Sequence, residues 1–230
     1  MFFDPMYLVF VGPALLLGLW AQFRVQSTYA TTRRMPAPLS GAAAARYVLD
    51  SAGLQNVAIE QIPGQLSDHY DPREKVLRLS ADVYQSQSLA AVGIAAHEAG
   101  HALQDAYGYA PLALRNAAVP VAGIGSNLGI LLVVIGAVLQ ATLHWGPAVV
   151  WLGIILFSGV VVFQVVNLPV EFNASSRAKQ QLVALGIIDQ EHLYYVEKML
   201  GAAALTYVAA TLQAVMILLY LLMRFGGRRD

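Results

Sequence analysis

The chain of 230 residues contains no cysteine. Disulfide frameworks, thiolate metal sites and cysteine nucleophiles are therefore excluded. Any bound metal must be held by histidine and carboxylate. Charge is also scarce. Asp, Glu, Lys and Arg make up 12% of the residues, against about 25% in a soluble globular domain. The 14 basic and 14 acidic residues cancel, so no global basic field exists to hold nucleic acid. No Lys or Arg precedes the first apolar run, and no clear small-x-small cleavage site follows it. That pattern argues for an uncleaved anchor rather than a secretory signal.

What the chain has instead is apolar length: 57% of it is hydrophobic. A transmembrane helix needs roughly 20 apolar residues. Four stretches qualify, at 6–21 (extended by Phe2 and Phe3), 117–139, 148–166 and 202–223. Pro13 and Pro120 lie inside spans, which neighbouring helices tolerate. Gly125 and Gly129 form a G-x-x-x-G pair whose plainest use is close helix packing. No Asp, Glu, Lys or Arg lies inside a span, which argues against an ion or proton path.

The solvated remainder is mostly one block, residues 22–115, with 8 of the 14 basic and 8 of the 14 acidic residues. Within it, 40–49 predicts a helix that stops near Gly53, and 56–60 a short strand. Pro63-Gly64 and Asp71-Pro72 mark turns. Residues 75–80 alternate polar with apolar, as a half-buried strand does. A further helix starts near Ser86 or Ser88, either of which can cap it. Arg46 and Asp50 form an i,i+4 surface pair.

Orientation follows from the basic residues at the span ends. Arg24, Arg33, Arg34, Arg115, Arg177 and Lys179 place the main block and the segment after span three in the cytoplasm. The connection 140–146 has no Lys or Arg. Arg224, Arg228 and Arg229 object: either the rule is breached there or span four is not a simple crossing.

The chemistry sits in His97-Glu98-Ala99-Gly100-His101, an H-E-x-x-H motif. Helix positions four apart differ by about 40°, so His97 and His101 share a face. Two such imidazoles can bind one zinc ion. Glu98 is offset by about 100° and flanks the metal, as suits a general base for a water that the metal activates. A catalytic zinc wants a third protein ligand. Glu171, just after span three, is the best candidate, since a carboxylate at the edge of a membrane segment is costly unless paired, metal-bound or hydrated. The alternative is a solvated residue at a helix start. Topology favours the ligand. His97 and His101 precede span two and Glu171 follows span three, so two crossings return the chain to the face it left. His144 lies in the turn between those crossings and cannot join.

These residues carry a resemblance. The chain resembles the YugP-type membrane neutral zinc metallopeptidases, relatives of the HtpX and CAAX-prenyl protease group. It does so most strongly at 68–73, 76–80, 95–102 and 168–172. The resemblance implies one Zn2+ on His97, His101 and Glu171, with Glu98 as catalytic base. It also implies that the strand before the active-site helix, here Val76, Leu77, Arg78 and Leu79, is an edge on which an extended substrate lies. Related proteases often carry an acid four residues after the third ligand, where this chain has Ser175, and Asn173 stands where the nearest relatives are expected to have Asp. Ser175 and Arg177 are thus candidates for supporting the site. His69, Tyr70 and Arg177 are candidates for stabilising an oxyanion.

The expected fold is mainly α: an integral membrane bundle of about four transmembrane helices with a small α+β, zincin-like cytoplasmic catalytic domain. Its divisions are an anchor at 1–23, a catalytic block at 24–115, a transmembrane hairpin at 116–167, a third-ligand helical segment at 168–200, and a last helix and tail at 201–230. The expected function is zinc endopeptidase action on membrane or membrane-proximal proteins. The partners are peptide substrates and the bilayer, with no nucleic acid. The competing reading is a zinc-containing membrane scaffold that binds client proteins without cutting them.

Overall fold

The computed structural model describes residues 4–65 and 67–227. Phe2, Phe3, Arg228 and Arg229 lie outside them. The structure is dominated by helix, as expected, with one three-stranded sheet. Among the described residues, four helical stretches are long and apolar enough to cross a membrane: Pro5–Thr32, Ala110–Leu139, Gly146–Ala184 and Gln190–Gly226. They outrun the apolar stretches of the sequence because the same helices continue into polar residues, as α1 does through Gln26, Ser27 and Thr28 to Thr32. The chain divides into two compact units.

The first unit comprises Met1–Trp20, Leu114–Leu168 and Leu205–Asp230. It contains most of α1 (Pro5–Thr32), α5 (Ala110–Ile124), a π turn (Gly125–Gly129), α6 (Ile130–Leu139) and portions of α7 (Gly146–Ala184) and α8 (Gln190–Gly226). Its seam is built on glycine. A Cβ at Gly125 would lie 2.3 Å from the Leu156 carbonyl oxygen, and one at Gly136 2.6 Å from the Val150 nitrogen. Backbones approach this closely only where the side chain is absent. The G-x-x-x-G pair is thus a packing device. Val133, Val150, Ile154, Phe157, Tyr220 and Leu221 form the buried cluster. The Tyr220 hydroxyl donates to Asp4 Oδ2 at 2.8 Å.

The second unit comprises Ala21–Ala113 and Pro169–Ala204. Helix α2 (Gly41–Ser51) starts where Ser40 Oγ accepts the Ala43 N–H at 3.2 Å, and the chain turns off it at Gly53, φ +76. Arg46 pairs with Asp50 at 2.8 Å, and also donates to the Val57 and Leu54 carbonyls. The first strand is β1 (Ala58–Ile62), displaced two residues from the sequence expectation. The strand β2 (His69–Asp71) was not anticipated. Strand β3 (Val76–Ser80) buries Leu77 and Leu79 completely. A short helix α3 (Ala81–Gln85) follows.

The strand order β1-β3-β2 corrects one expectation. Val76, Leu77, Arg78 and Leu79 do not form an edge. β3 is the central strand, parallel to β1 from Ala58↔Val76 to Ile62↔Ser80 and antiparallel to β2 from His69↔Arg78 to Asp71↔Val76. Its backbone groups are taken by neighbours on both sides, so no peptide can add to it by strand pairing. The edges are β1 and β2.

Helix α4 (Leu89–Ala106) carries the H-E-x-x-H residues. Of the two candidate caps, Ser88 does the capping: its side chain accepts the Ala91 N–H at 3.2 Å. Fourteen of the eighteen α4 residues are buried. A helix covered on nearly every side needs small residues where neighbours approach. Ala90, Ala91, Ala95, Ala96, Ala99 and Ala102 meet that need in the unit's core, alongside Leu49, Leu77, Leu103 and Leu182.

Candidate metal centre

His97 and His101, one turn apart on α4, set their rings 4.9 Å apart between centroids, at 83° to each other. Glu171 arrives from α7. Its Oε2 lies 3.4 Å from His97 Nε2 and 3.8 Å from His101 Nε2. One ligand atom from each of the three residues falls within 4.8 Å of the others, and His101 and Glu171 are buried. Tetrahedral zinc with bonds of about 2.0–2.1 Å spaces its ligand atoms roughly 3.4 Å apart. A direct N–H···O bond would draw the atoms to about 2.9–3.0 Å. The spacing is compatible with a shared cation, and two imidazoles with a carboxylate are a zinc-compatible donor set.

The approach of α7 to α4 depends on Gly100. A Cβ there would lie 2.6 Å from the Ala174 carbonyl oxygen. Glycine inside the motif therefore lets the helix bearing Glu171 reach the level of the two histidines. Around the three residues, polar side chains take up the remaining ring nitrogens. Ser175 Oγ lies 3.1 Å from His97 Nδ1, and Gln104 Oε1 lies 3.0 Å from His101 Nδ1.

Glu98 is buried beside this cluster. Burial is the chief cause that pushes its carboxyl up to about 7; His97 opposes this, the Glu171 and Asp68 carboxylates add to it, and the Tyr70 N–H donates to Glu98 and opposes it. For His97, burial pulls the imidazole down, but contacts with Glu171 and Glu98 more than offset it and leave the pKa raised.

The oxyanion candidates have other partners. The Tyr70 hydroxyl donates to Asp105 Oδ2 at 2.8 Å, and Asp105 also pairs with Lys75. Arg177 Nε donates to Asn173 Oδ1 at 2.8 Å, and its guanidinium sits 5.3 Å from the centre of the Tyr107 ring. His69 is exposed on β2, with Nδ1 2.8 Å from the Ser67 carbonyl. Sequence reasoning passed over Gln104 and Asp105. The signal for Gln104 was its place three residues after His101, a polar side chain in a helix otherwise rich in alanine.

A family model described as "Putative neutral zinc metallopeptidase" matches residues 7–226. The chain belongs to this family. It is also similar to a Bacillus subtilis (strain 168) protein described as "Putative membrane protease YugP", with 46% identity over 219 residues, covering 94% of this chain and 95% of that protein. No solved structure matches the chain. As a neutral zinc metallopeptidase family member, the protein is expected to use zinc and to act on peptides. The cluster of His97, His101 and Glu171 is where its described residues could hold a metal.

Proposed function

We propose that the protein is a membrane-anchored zinc endopeptidase that hydrolyses peptide bonds of membrane or membrane-proximal proteins at the cytoplasmic face. The observation that carries this reading is the convergence of His97, His101 and Glu171 beside the buried carboxyl of Glu98. The catalytic domain is the second unit, and the apolar helices of the first serve as anchor. The basic residues at the span ends support the cytoplasmic assignment.

His97, His101 and Glu171 would hold one Zn2+ per chain. Zinc, when bound, supplies Lewis acidity that polarises a carbonyl and lowers the pKa of a water from 15.7 to about 7. Glu98 takes a proton from the attacking water and returns it to the departing amine. The Tyr70 N–H holds the carboxylate in place.

The test is Glu98→Gln in the full-length protein. The variant is expected to retain zinc and lose cleavage of an unfolded protein substrate, while a chelator abolishes cleavage by the wild type. Full cleavage by Glu98→Gln would remove Glu98 from the mechanism. A wild type that binds zinc and cuts nothing would favour the scaffold reading.

A further inference from the structure

We propose that Gln104 is a positioning residue that fixes the His101 tautomer and ties the third ligand to the first two. This rests on the zinc reading of the site. Gln104 is completely buried on α4, one turn beyond His101. Its amide makes three hydrogen bonds, and their directions are forced. Nε2 donates to the Val170 carbonyl at 2.7 Å and to Asn173 Oδ1 at 3.0 Å. A backbone carbonyl can only accept, so a flipped amide would set two acceptors against each other. Asn173 is fixed in the same way: the same Oδ1 also accepts Arg177 Nε at 2.8 Å, and a guanidinium can only donate.

With both Nε2 hydrogens committed, Gln104 can offer His101 only its oxygen. His101 Nδ1, 3.0 Å from Oε1, must therefore carry the proton. A neutral imidazole protonated on Nδ1 has its lone pair on Nε2, the nitrogen that faces Glu171 at 3.8 Å. The polarity is set at Asn173 Oδ1, which accepts from both Arg177 and Gln104, and at the Val170 carbonyl, and Gln104 passes it on to the ring. Without it, His101 can place its proton on Nε2, the position a metal needs vacant. The second bond matters as much. Val170 precedes Glu171, so the side chain that orients one histidine also sets the backbone of the carboxylate. Groups supporting a metal's ligands in this way typically change affinity 10–100-fold when lost.

The experiment uses the full chain in nanodiscs, with 15N-labelled histidine. His101 is assigned by loss of its signal in His101→Gln, and zinc affinity is read against a competing chelator. In zinc-free wild type, His101 is expected to be protonated on Nδ1. Gln104→Leu should shift that proton towards Nε2 and weaken zinc roughly 10–100-fold. Gln104→Glu keeps an acceptor for Nδ1 but loses the donors to Val170 and Asn173. It should therefore retain the tautomer while still losing affinity. A purely structural role would move both readouts together. An Nε2-protonated His101 in zinc-free wild type, or unchanged zinc affinity in Gln104→Leu, would overturn the proposal. Failure of the wild type to bind zinc would sink the metal reading instead, and the wild-type tautomer would still decide the role of Gln104, even if the variants fail to fold.

Discussion

Gly100→Ala separates helix propensity from the geometry of the candidate metal centre. In an ordinary helix interior the change stabilises by about 0.5–1 kcal/mol. Here the new Cβ would sit 2.6 Å from the Ala174 carbonyl oxygen and 3.2 Å from its carbonyl carbon and Cα. These are backbone atoms that no rotamer change can move. Ordinary contact begins at 3.4 Å, so the two helices must part by 3.4 − 2.6, or 0.8 Å. Overpacking of this kind costs about 1–3 kcal/mol. The propensity gain offsets part of it, leaving a net loss of about 0–2.5 kcal/mol. Zinc affinity is the sharper readout. Ligand distances tolerate about 0.2 Å, whereas parting the helices opens the 3.4 and 3.8 Å gaps to Glu171 and stretches the 3.1 Å contact between Ser175 and His97. Chelator competition on the full-length protein should show affinity at least about tenfold weaker, equivalent to 1.4 kcal/mol. Gly201→Ala is the control, since a Cβ there meets nothing within 4 Å. It should raise thermal stability and leave zinc binding unchanged. Wild-type zinc affinity in Gly100→Ala would refute the claim that this glycine sets the ligand spacing.

Metal analysis of Glu171→Ala should show loss of zinc; undiminished occupancy would mean that another residue completes the donor set. Gly125→Val should destabilise the membrane seam by about 1–3 kcal/mol, because its Cβ meets the Leu156 carbonyl, and a variant as resistant to thermal unfolding as wild type would contradict that packing. In the β2–β3 hairpin, the Arg73 N–H first, then the Glu74 N–H and the Arg78 guanidinium, hold the Asp71 carboxyl below its ordinary 3.8 against an opposing effect of burial. A depressed carboxyl stabilises the fold above the unfolded value and loses that contribution as pH falls through the folded one. Protection factors for hydrogen exchange at Val76 and Arg78, corrected for the intrinsic rate, should therefore fall below about pH 3.8, and Asp71→Asn should flatten that response; equal acid sensitivity in the two proteins would exclude Asp71 as its source.

Much of this arrangement can be read from local signals, and the remainder depends on which elements become neighbours. Ser88 announces the start of α4 because a cap acts within three residues. His97 and His101 declare a shared face because helical periodicity is local. Glu171 was reachable because counting crossings replaces a distance with a parity. β3 shows the other case. Its alternation announces a strand, although burial takes in Val76 and Ser80 as well as Leu77 and Leu79, and alternation reports only the two faces of a strand, not its two edges. Whether an edge is open depends on pairing with β1 and on the three residues of β2, a segment too short to show a period. The supporting shell was hidden for a related reason. The related proteases suggested a carboxylate four residues after the third ligand, so Ser175 looked like the replacement, and it does approach His97. The partner of His101 is an amide on the helix already in view. Glutamine is an ordinary helix former, and its spacing from His101 says only that the two can meet. What gives it direction is the Val170 carbonyl and Asn173, 66 and 69 residues away in the chain. The sequence can thus name candidate ligands where chemistry restricts the residue type, whereas the groups placed to orient them are chosen by donor and acceptor polarity, which becomes visible only when both helices are in place.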